Sequence, residues 1–185
     1  MSPSDDAIHI GSRRELLVDD ALIDRRRDID LRLNPPTPGE VAIGHDAPWE
    51  GNTCFYHTVI QDDDHFKMYY RGAHYDEQER KGTHEVACYA ESDDGIIWRK
   101  PNLGLVEFQG SRDNNIIWDG THNFAVFKDA NPACSYEARY KALAGNQKTG
   151  LMAYQSGDGI HWDRIGDGPV ITTGYFDSQN VAFWD

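Results

Sequence analysis

One seven-residue pattern occurs twice in the chain and limits what the chain can fold into. SDDGIIW covers Ser92 to Trp98, and SGDGIHW covers Ser156 to Trp162, 64 positions later. Repetition at an interval of tens of residues indicates a repeat architecture, in which each copy belongs to one supersecondary unit. The Asp-Gly pair predicts a tight hairpin, because glycine accepts positive φ and aspartate bonds its own backbone. The Ile and Trp then share one face of the next strand and pack into the neighbouring sheet.

Strand-like segments surround each copy of the pattern in the same order. The first unit has them at 52–61, 65–72 and 85–91, the second has them at 123–130, 138–145 and 150–155, and a third first strand is expected at 180–185. No segment keeps a helical apolar period for three turns. Four antiparallel strands per unit, repeated every roughly 57 to 71 residues, predict an all-β fold built from β-propeller blades.

Residues 1–45 differ from the rest and are predicted to be N-terminal strands and a connector. The strand-like pieces are 14–24 and 29–36, followed by a proline-rich stretch. Residues 46–185 are predicted to hold blades one and two and the start of blade three. Closure of a propeller needs roughly four or more blades. The propeller domain is therefore expected to be incomplete in this chain.

The net charge of −13 argues against a nucleic-acid partner. Phosphate binding needs clustered Lys and Arg, and the run Arg25-Arg26-Arg27 is flanked by two aspartates. Neither a signal peptide nor an apolar run of 18 residues is visible, so a cytoplasmic location without membrane contact is the default expectation, with the oligomeric state open. Cys54 and Cys88 lie in strand-like runs and are predicted to be buried free thiols.

Acidic residues precede each predicted first strand and are the catalytic candidates. They are Glu50, Asp119 and Asp177, each two to four residues before the asparagine that opens the strand. Loops that enter the innermost strands of a propeller converge at one mouth, so these carboxyl groups are expected to lie together. Paired carboxylates cleave glycosidic bonds, one by protonating the leaving oxygen and the other by activating water or attacking the anomeric carbon. The alternative is that all three are ordinary turn residues.

Six further side chains near the strand entrances are predicted to bind substrate. They are Trp49, Asn52, Arg71, His122, Asn123 and Gln179. Trp49 also has a structural interpretation as a core aromatic, and Arg71 as part of an ion pair. The histidines show neither H-x-H nor H-E-x-x-H spacing, so no metal site is predicted. No cofactor is expected beyond a structural calcium ion, which the sequence neither requires nor excludes.

Two longer runs resemble a known group of enzymes. WEGNTCFYHTVIQDDDHFKMYYRG (49–72), followed by CYAESDDGIIWRKPNLGLVEF (88–108), is similar to the five-bladed propeller glycoside hydrolases of families 32 and 43, and more closely to a bacterial subgroup labelled by family 32 N-terminal similarity. The resemblance covers residues 14–185. It implies three acids on the inner strands of the first three blades, acting as nucleophile or base, transition-state stabiliser and general acid. By position these are Glu50, either Asp119 or Asp129, and Asp177.

The chain departs from the family 32 pattern at several positions. WEGNT stands where those enzymes carry a W-x-N-D-P-N-G-like entrance, and Asp177 stands where they usually have Glu. FKDANP (127–132) matches their R-D-P triplet only loosely, and on that match Asp129 rather than Asp119 is the middle acid. The repeated turns also resemble those of sialidase propellers but are one residue shorter.

The expected function is therefore cleavage of glycosidic bonds in a carbohydrate by paired carboxylates at the propeller mouth. Two alternatives stay open, a non-catalytic propeller that binds glycans and a repeat scaffold for protein partners. Catalysis requires two carboxyl groups within reach of one bond. A scaffold requires an exposed apolar patch instead.

Overall fold

The computed structural model describes residues 8–185 and is all-β apart from one short 3₁₀ helix over Tyr136–Ala138. The chain divides into two units, Met1–Glu40 and Val41–Asp185, and the assigned strands all lie in the second. Within residues 8–185, no helix has the length and apolar character that a membrane span requires. The predicted all-β fold is confirmed.

The strands form two four-stranded antiparallel sheets, each in chain order. The first contains β1 Phe55–Asp62, β2 His65–Asp76, β3 Lys81–Ser92 and β4 Ile116–Asp119. The second contains β5 Ala125–Lys128, β6 Tyr140–Asn146, β7 Gly150–Ser156 and β8 Asp163–Ile165. Each sheet is one blade of the predicted propeller type, and the first strands of the two blades, β1 and β5, contact each other.

Side-chain alternation along the strands gives the first sheet two apolar faces. Tyr69 of β2 points toward the second sheet and packs with Trp162 in the core between the sheets. The next residue, Tyr70, points the other way and packs with Cys88, which is fully buried. Because consecutive residues of a strand face opposite sides, the two faces of β2 pack against different sets of side chains.

A cluster of charged and polar groups joins the two sheets at one end of β1. Asp62 accepts hydrogen bonds from Lys128 and Tyr140 of the second sheet and lies 3.6 Å from Lys67 Nζ. These four residues are the Asp62 cluster. The Asp62 side chain is 11% exposed. Burial raises its pKa, but the hydrogen bonds from Lys128 and Tyr140 outweigh burial and lower the pKa to about 2.

Both seven-residue repeats fold into the same turn, which is closed by side chains. In each, the serine Oγ accepts the N–H groups of the aspartate and the glycine, and the aspartate Oδ1 accepts the N–H groups of the two residues that follow the glycine. The tryptophan indole N–H donates to the glycine carbonyl. These distances are 2.8 to 3.2 Å in Ser92–Trp98 and 2.8 to 3.3 Å in Ser156–Trp162. The prediction of a tight hairpin is wrong. The loop is longer than a two-residue hairpin turn, and the serine and aspartate side chains accept its backbone N–H groups.

The fourth strand of the first sheet differs from its predicted position. Directly after Trp98, the chain makes only the single bridge from Arg99 to Glu91. Pro101, which follows, has no backbone N–H for a strand ladder, and β4 forms only after a long loop. In the second sheet, β8 follows the turn directly, but it begins at Asp163, so Ile160 and Trp162 lie in the turn and not in the strand that was predicted to carry them.

The tryptophans of the two turns pack as expected, whereas the first isoleucine does not. Trp98 packs against the face of the first sheet that carries Tyr70 and Cys88, and Trp162 packs against Tyr69 on the other face. Ile96 is 50% exposed, while Ile160 packs partly into the core between the sheets.

Three other predicted strand segments form no strand in the part of the chain that the structure describes. Segments 14–24 and 29–36 are irregular, and Leu33 is 96% exposed. Segment 180–185 is also irregular, and Phe183 is 77% exposed. Apolar content gives a strand only where a neighbouring strand offers pairing and cover. The domain boundary at residue 45 and the start of a third blade stay predictions.

The glycines of the two turns predict different tolerance to substitution. At Gly159, φ is +81° and an added Cβ would lie 2.3 Å from the Tyr69 hydroxyl, whereas at Gly95, φ is +75° and the nearest contact would be the Phe66 ring at 3.6 Å. We expect Gly95→Ala to lower the free energy of unfolding by roughly 1–2 kcal/mol through its left-handed backbone. We expect Gly159→Ala to lose roughly a further 1–3 kcal/mol through overpacking. Urea unfolding measures both losses.

Tyr69→Phe is the control for this comparison. The Tyr69 hydroxyl is buried and has no hydrogen-bond partner among the described residues, so its removal relieves the contact without breaking a bond. In the Gly159→Ala background it should restore part of the extra loss. Equal losses for the two glycine variants, without restoration, would contradict this account.

The Asp62 cluster predicts a specific pH dependence of stability. Since folding lowers the pKa of Asp62 from its usual 3.8 to about 2, the carboxylate stabilises the fold above the unfolded pKa, and this contribution disappears as the pH falls through the folded pKa. We expect Asp62→Asn to lower the free energy of unfolding by about 2 kcal/mol near neutral pH. The difference from wild type should shrink between about pH 5 and pH 2. Asp64→Asn, in the exposed β1–β2 turn, should match wild type throughout.

Candidate functional site

Polar side chains from both sheets meet where β3 approaches the entrance to β5. Glu85 of β3 accepts the Asn123 backbone N–H on Oε1 at 3.0 Å and His122 Nδ1–H on Oε2 at 3.0 Å. Arg71 of β2 donates to Asn123 Oδ1 at 3.0 Å and lies 3.8 Å from Glu85 Oε1. We name Arg71, Glu85, His122, Asn123 and Asp177 the Glu85 cluster.

Backbone geometry explains how these residues meet. Arg71 pairs with Ala87 across β2 and β3, and Ala73 pairs with Glu85, so Arg71 and Glu85 are diagonal neighbours on one face of the sheet. Asn123 has φ +49°, in the left-handed region that asparagine adopts more readily than most residues. This conformation accompanies the entry of the chain into β5, where the Asn123 N–H meets Glu85.

Asp177 joins the cluster through its backbone. Its carbonyl oxygen lies 3.3 Å from His122 Nε2 and 3.4 Å from Asn123 Nδ2, while the residue itself is exposed. The segment after β8 is therefore attached to the entrance of β5. The structure brings together four residues that the sequence singled out, namely Arg71, His122, Asn123 and Asp177.

Charges in the cluster stabilise one another. Burial raises the pKa of Glu85, but the hydrogen bonds from His122 and the Asn123 N–H outweigh burial and lower this pKa below its usual value. The hydrogen bond to the Glu85 carboxylate raises the pKa of His122. When protonated, His122 can donate from Nδ1 to Glu85 and from Nε2 to the Asp177 carbonyl. The cluster thus places an ionised carboxylate beside an imidazole that readily takes up a proton.

Two hollows adjoin this cluster and share His122 and Asn146 in their walls; together they are the His122 cleft. The first, of about 480 Å³, is lined by Thr83, His84, Glu85, Phe108, Asp119, Gly120, Thr121, His122 and Asn146. The second, of about 470 Å³, is lined by His122, Asn146, Gln147, Lys148, Tyr175, Phe176 and Asp177. Three acids therefore line the cleft, with Glu85 and Asp119 in the first hollow and Asp177 in the second.

Glu50 lies on the other face of the first sheet. Its side chain is fully buried, and it accepts hydrogen bonds from the Tyr70 hydroxyl at 2.7 Å, the Ala47 N–H at 2.8 Å and Lys100 Nζ at 2.8 Å. Burial raises the pKa of Glu50, but Lys100, the Ala47 N–H and Tyr70 outweigh burial and lower it. Tyr70 and Arg71 are consecutive on β2 and point to opposite faces. Glu50 thus contacts the face opposite the Glu85 cluster, and its catalytic role stays a prediction.

The two alternatives for the middle acid have different surroundings. Asp119 ends β4, is exposed and lines the cleft. Asp129 follows the far end of β5, and its side chain is 4% exposed and ion-paired with Lys141. That ion pair lowers the pKa of Asp129. Asp119 is therefore the alternative that a substrate in the cleft would meet.

The remaining predicted binding residues are held by contacts within the protein. Trp49 Nε1 donates to Asn115 Oδ1 at 2.7 Å. The Asn52 side chain donates to the Tyr75 carbonyl at 3.0 Å and accepts the Tyr75 N–H at 2.8 Å. Gln179 Nε2 donates to Thr58 Oγ1 at 2.6 Å. Their substrate-binding roles stay predictions.

Sequence reasoning missed Glu85, the residue that organises the cluster. It opens the apolar run EVACYA in β3, and a charged residue at the start of such a run is a weak signal for a half-buried carboxylate with a specific partner. Its partners, His122 and Asn123, lie 37 and 38 positions away, in the segment that leads into the second sheet. Only the stacking of the two sheets shows that they meet.

The fold and the cleft define a protein of the β-propeller class, with a polar site at the entrances to its strands. The chain matches the model of the glycosyl hydrolases family 32 N-terminal domain over residues 37–173. This match covers most of the chain, and the chain belongs to that family.

Among solved structures, the chain is similar to a bacterial glycosyl hydrolase. The match is to the crystal structure of a glycosyl hydrolase from Bacteroides ovatus at 2.30 Å resolution, with 18% sequence identity and a TM-score of 0.40. The similarity covers 63% of this chain and 31% of that one, so the chain spans well under half of that protein's length. No curated protein matches the sequence.

The Glu85–His122 pair gives a prediction about titration. Since the hydrogen bond to Glu85 raises the pKa of His122, Glu85→Gln should lower that pKa, which NMR of the imidazole resonances measures directly. Glu91→Gln is the matched control, because Glu91 lies six residues further along β3, roughly 20 Å away. A His122 pKa that is the same in wild type and Glu85→Gln would contradict the assigned pairing.

Proposed function

We propose that the protein is a five-bladed propeller glycoside hydrolase and that its sugar substrate binds in the His122 cleft. The observation that carries this proposal is the placement of three acids around His122, in a domain of the glycosyl hydrolases family 32 N-terminal type. Glycosidic cleavage needs two carboxyl groups on either side of one bond. The cleft supplies Asp119 and Asp177 as exposed carboxyl groups, with Glu85 between their loops.

The surroundings of each acid support different roles. Glu85 is half-buried, ionised and hydrogen-bonded to His122 and Asn123, which suits electrostatic stabilisation of an oxocarbenium-like transition state. Asp119 and Asp177 are exposed and line the cleft, where a substrate or water can contact their carboxyl groups. We assign one of these two residues as the general acid and the other as the nucleophile or base.

The walls of the cleft favour an uncharged carbohydrate. Tyr175 is 78% exposed and can stack on a sugar face, while Asn146 offers amide groups to hydroxyls. The net charge of −13 disfavours an anionic substrate. Glu50 and Asp129, in contrast, are tied to Lys100 and Lys141 and support the fold in this proposal.

The test is hydrolysis of a panel of aryl glycosides and neutral oligosaccharides by the full protein. We expect Asp177→Asn and Asp119→Asn each to lower kcat by roughly 10²-fold or more, the typical loss when an acid or base is removed. Glu85→Gln should lower kcat and change the pH profile, because His122 then loses its carboxylate partner. Asp64→Asn, distant from the cleft, should keep wild-type kinetics.

Undiminished turnover in both Asp119→Asn and Asp177→Asn would overturn the assignment. No hydrolysis of the panel, together with saturable oligosaccharide binding that Tyr175→Ala weakens, would instead establish a glycan-binding propeller. Calorimetry on the same variants separates these outcomes.

A further inference from the structure

Three potential metal ligands converge on the face of the first sheet opposite the His122 cleft. One donor atom from each of His45, Cys54 and His57 lies within 4.8 Å of the others. The Nε2 atoms of His45 and His57 are 2.9 Å apart. We propose that these residues form a binding site for a borderline-soft first-row divalent cation, of which Zn²⁺ is the typical example. This site is separate from the proposed hydrolase cleft and does not depend on it.

A β-bulge is what brings Cys54 and His57 together. Residues three apart on a regular strand point to opposite faces. The pairing of β1 with β2 shifts register between Phe55 and Thr58, and Tyr56 has φ +60°. The extra residue of such a bulge re-aims the side chains that follow it. Cys54 and His57 therefore reach the same side and meet His45 there.

The tautomer of His45 suits metal binding. Its Nδ1 lies 3.2 Å from Glu50 Oε1, and an ionised carboxylate only accepts hydrogen bonds, so Nδ1 carries the proton and Nε2 presents a lone pair. A carboxylate behind a histidine is the arrangement that orients metal-binding imidazoles. Lys100 and Tyr70 hold Glu50 in place. This gives the buried Glu50 a further role as the support of a ligand.

Packing orders the two imidazoles. The His57 ring stacks on Tyr70 with a centroid distance of 5.5 Å and an interplanar angle of 14°, and the His45 ring lies 4.8 Å from the same ring. His57 is exposed on its other side. The protein thus holds the imidazole rings in place, and the site is open to solvent at His57, where water can complete the coordination of the metal ion.

The donor set selects the class of cation. Two imidazoles and a thiolate suit Zn²⁺ and Co²⁺, whereas Mg²⁺ and Ca²⁺ prefer oxygen ligands. Tetrahedral Zn²⁺, with bonds of about 2.0–2.1 Å to nitrogen and about 2.3 Å to sulfur, separates its ligand atoms by roughly 3.3–3.6 Å. A small rotation of His57 gives the imidazole nitrogens that spacing. Cys54 binds as the thiolate and releases its proton to solvent.

The test uses the full chain, reduced and stripped of metal, titrated with Co²⁺ and then with Zn²⁺. We expect one Co²⁺ per chain, absorption bands of tetrahedral Co²⁺ and a thiolate-to-cobalt charge-transfer band, all of which Zn²⁺ abolishes. Cys54→Ser should remove the charge-transfer band, and His57→Ala should lower the Zn²⁺ affinity at least tenfold. Zn²⁺ should raise Tm for wild type and not for either variant, since a ligand of the folded state alone stabilises it.

Cys134→Ser is the matched control, because Cys134 is a half-buried free cysteine of the second sheet's loops. It should keep the cobalt spectrum and the Zn²⁺ affinity of wild type. Circular dichroism without metal shows whether each variant is folded, and the exposed His57 makes His57→Ala the variant least prone to misfold. A cobalt complex without the charge-transfer band, unchanged affinity in Cys54→Ser and His57→Ala, or no binding by the folded wild-type chain would each overturn the proposal.

Discussion

The Asp62 carboxylate connects the two sheets, and the site depends on that connection. Lys128 and Tyr140 of the second sheet donate to it, and Lys67 of the first lies nearby. A nearly buried charge is costly unless it is well paired, so this cluster admits little change in how β1 and β5 lie against each other. The same relation between the sheets brings Glu85 of the first to the residues that open β5. An interaction at one end of the inner strands thus fixes the geometry at the other end.

The strands were predictable because their information is local. Period-two alternation is visible in a window of ten residues, and each copy of the seven-residue pattern marks the end of a strand. The structure places six of the predicted segments in strands. Segment 180–185 shows the limit of this reasoning, since its apolar residues form no strand and Phe183 stays exposed. The fourth strand of the first sheet was misplaced for a related reason, because Pro101 and a long loop separate it from the turn. Local pattern gives strand tendency, and pairing decides the outcome.

The site was predictable only in part. His122 and Asn123 were found because they stand at the entrance to an inner strand, where loops converge. Arg71 was found as well, although it lies inside β2 rather than at a strand end. Glu85 was missed because its partners come from the other sheet. Glu50 was predicted to lie at the propeller mouth. Its ion pair with Lys100, which lies 50 positions away in the sequence, could not be predicted from the residues around Glu50. Which side chains meet across such sequence separations depends on how the sheets pack, and a single sequence does not show this packing.

The contact of Gly159 with Tyr69 shows that the two copies of the turn have different surroundings. The same turn at Gly95 has room for a side chain, whereas at Gly159 the hydroxyl of the preceding blade takes up that space. Alanine at position 159 would meet the Tyr69 hydroxyl of the first blade in addition to the strain of the left-handed backbone in its own turn. Glycine is therefore required twice at this position, once by the turn of its own blade and once by the junction with the blade before it.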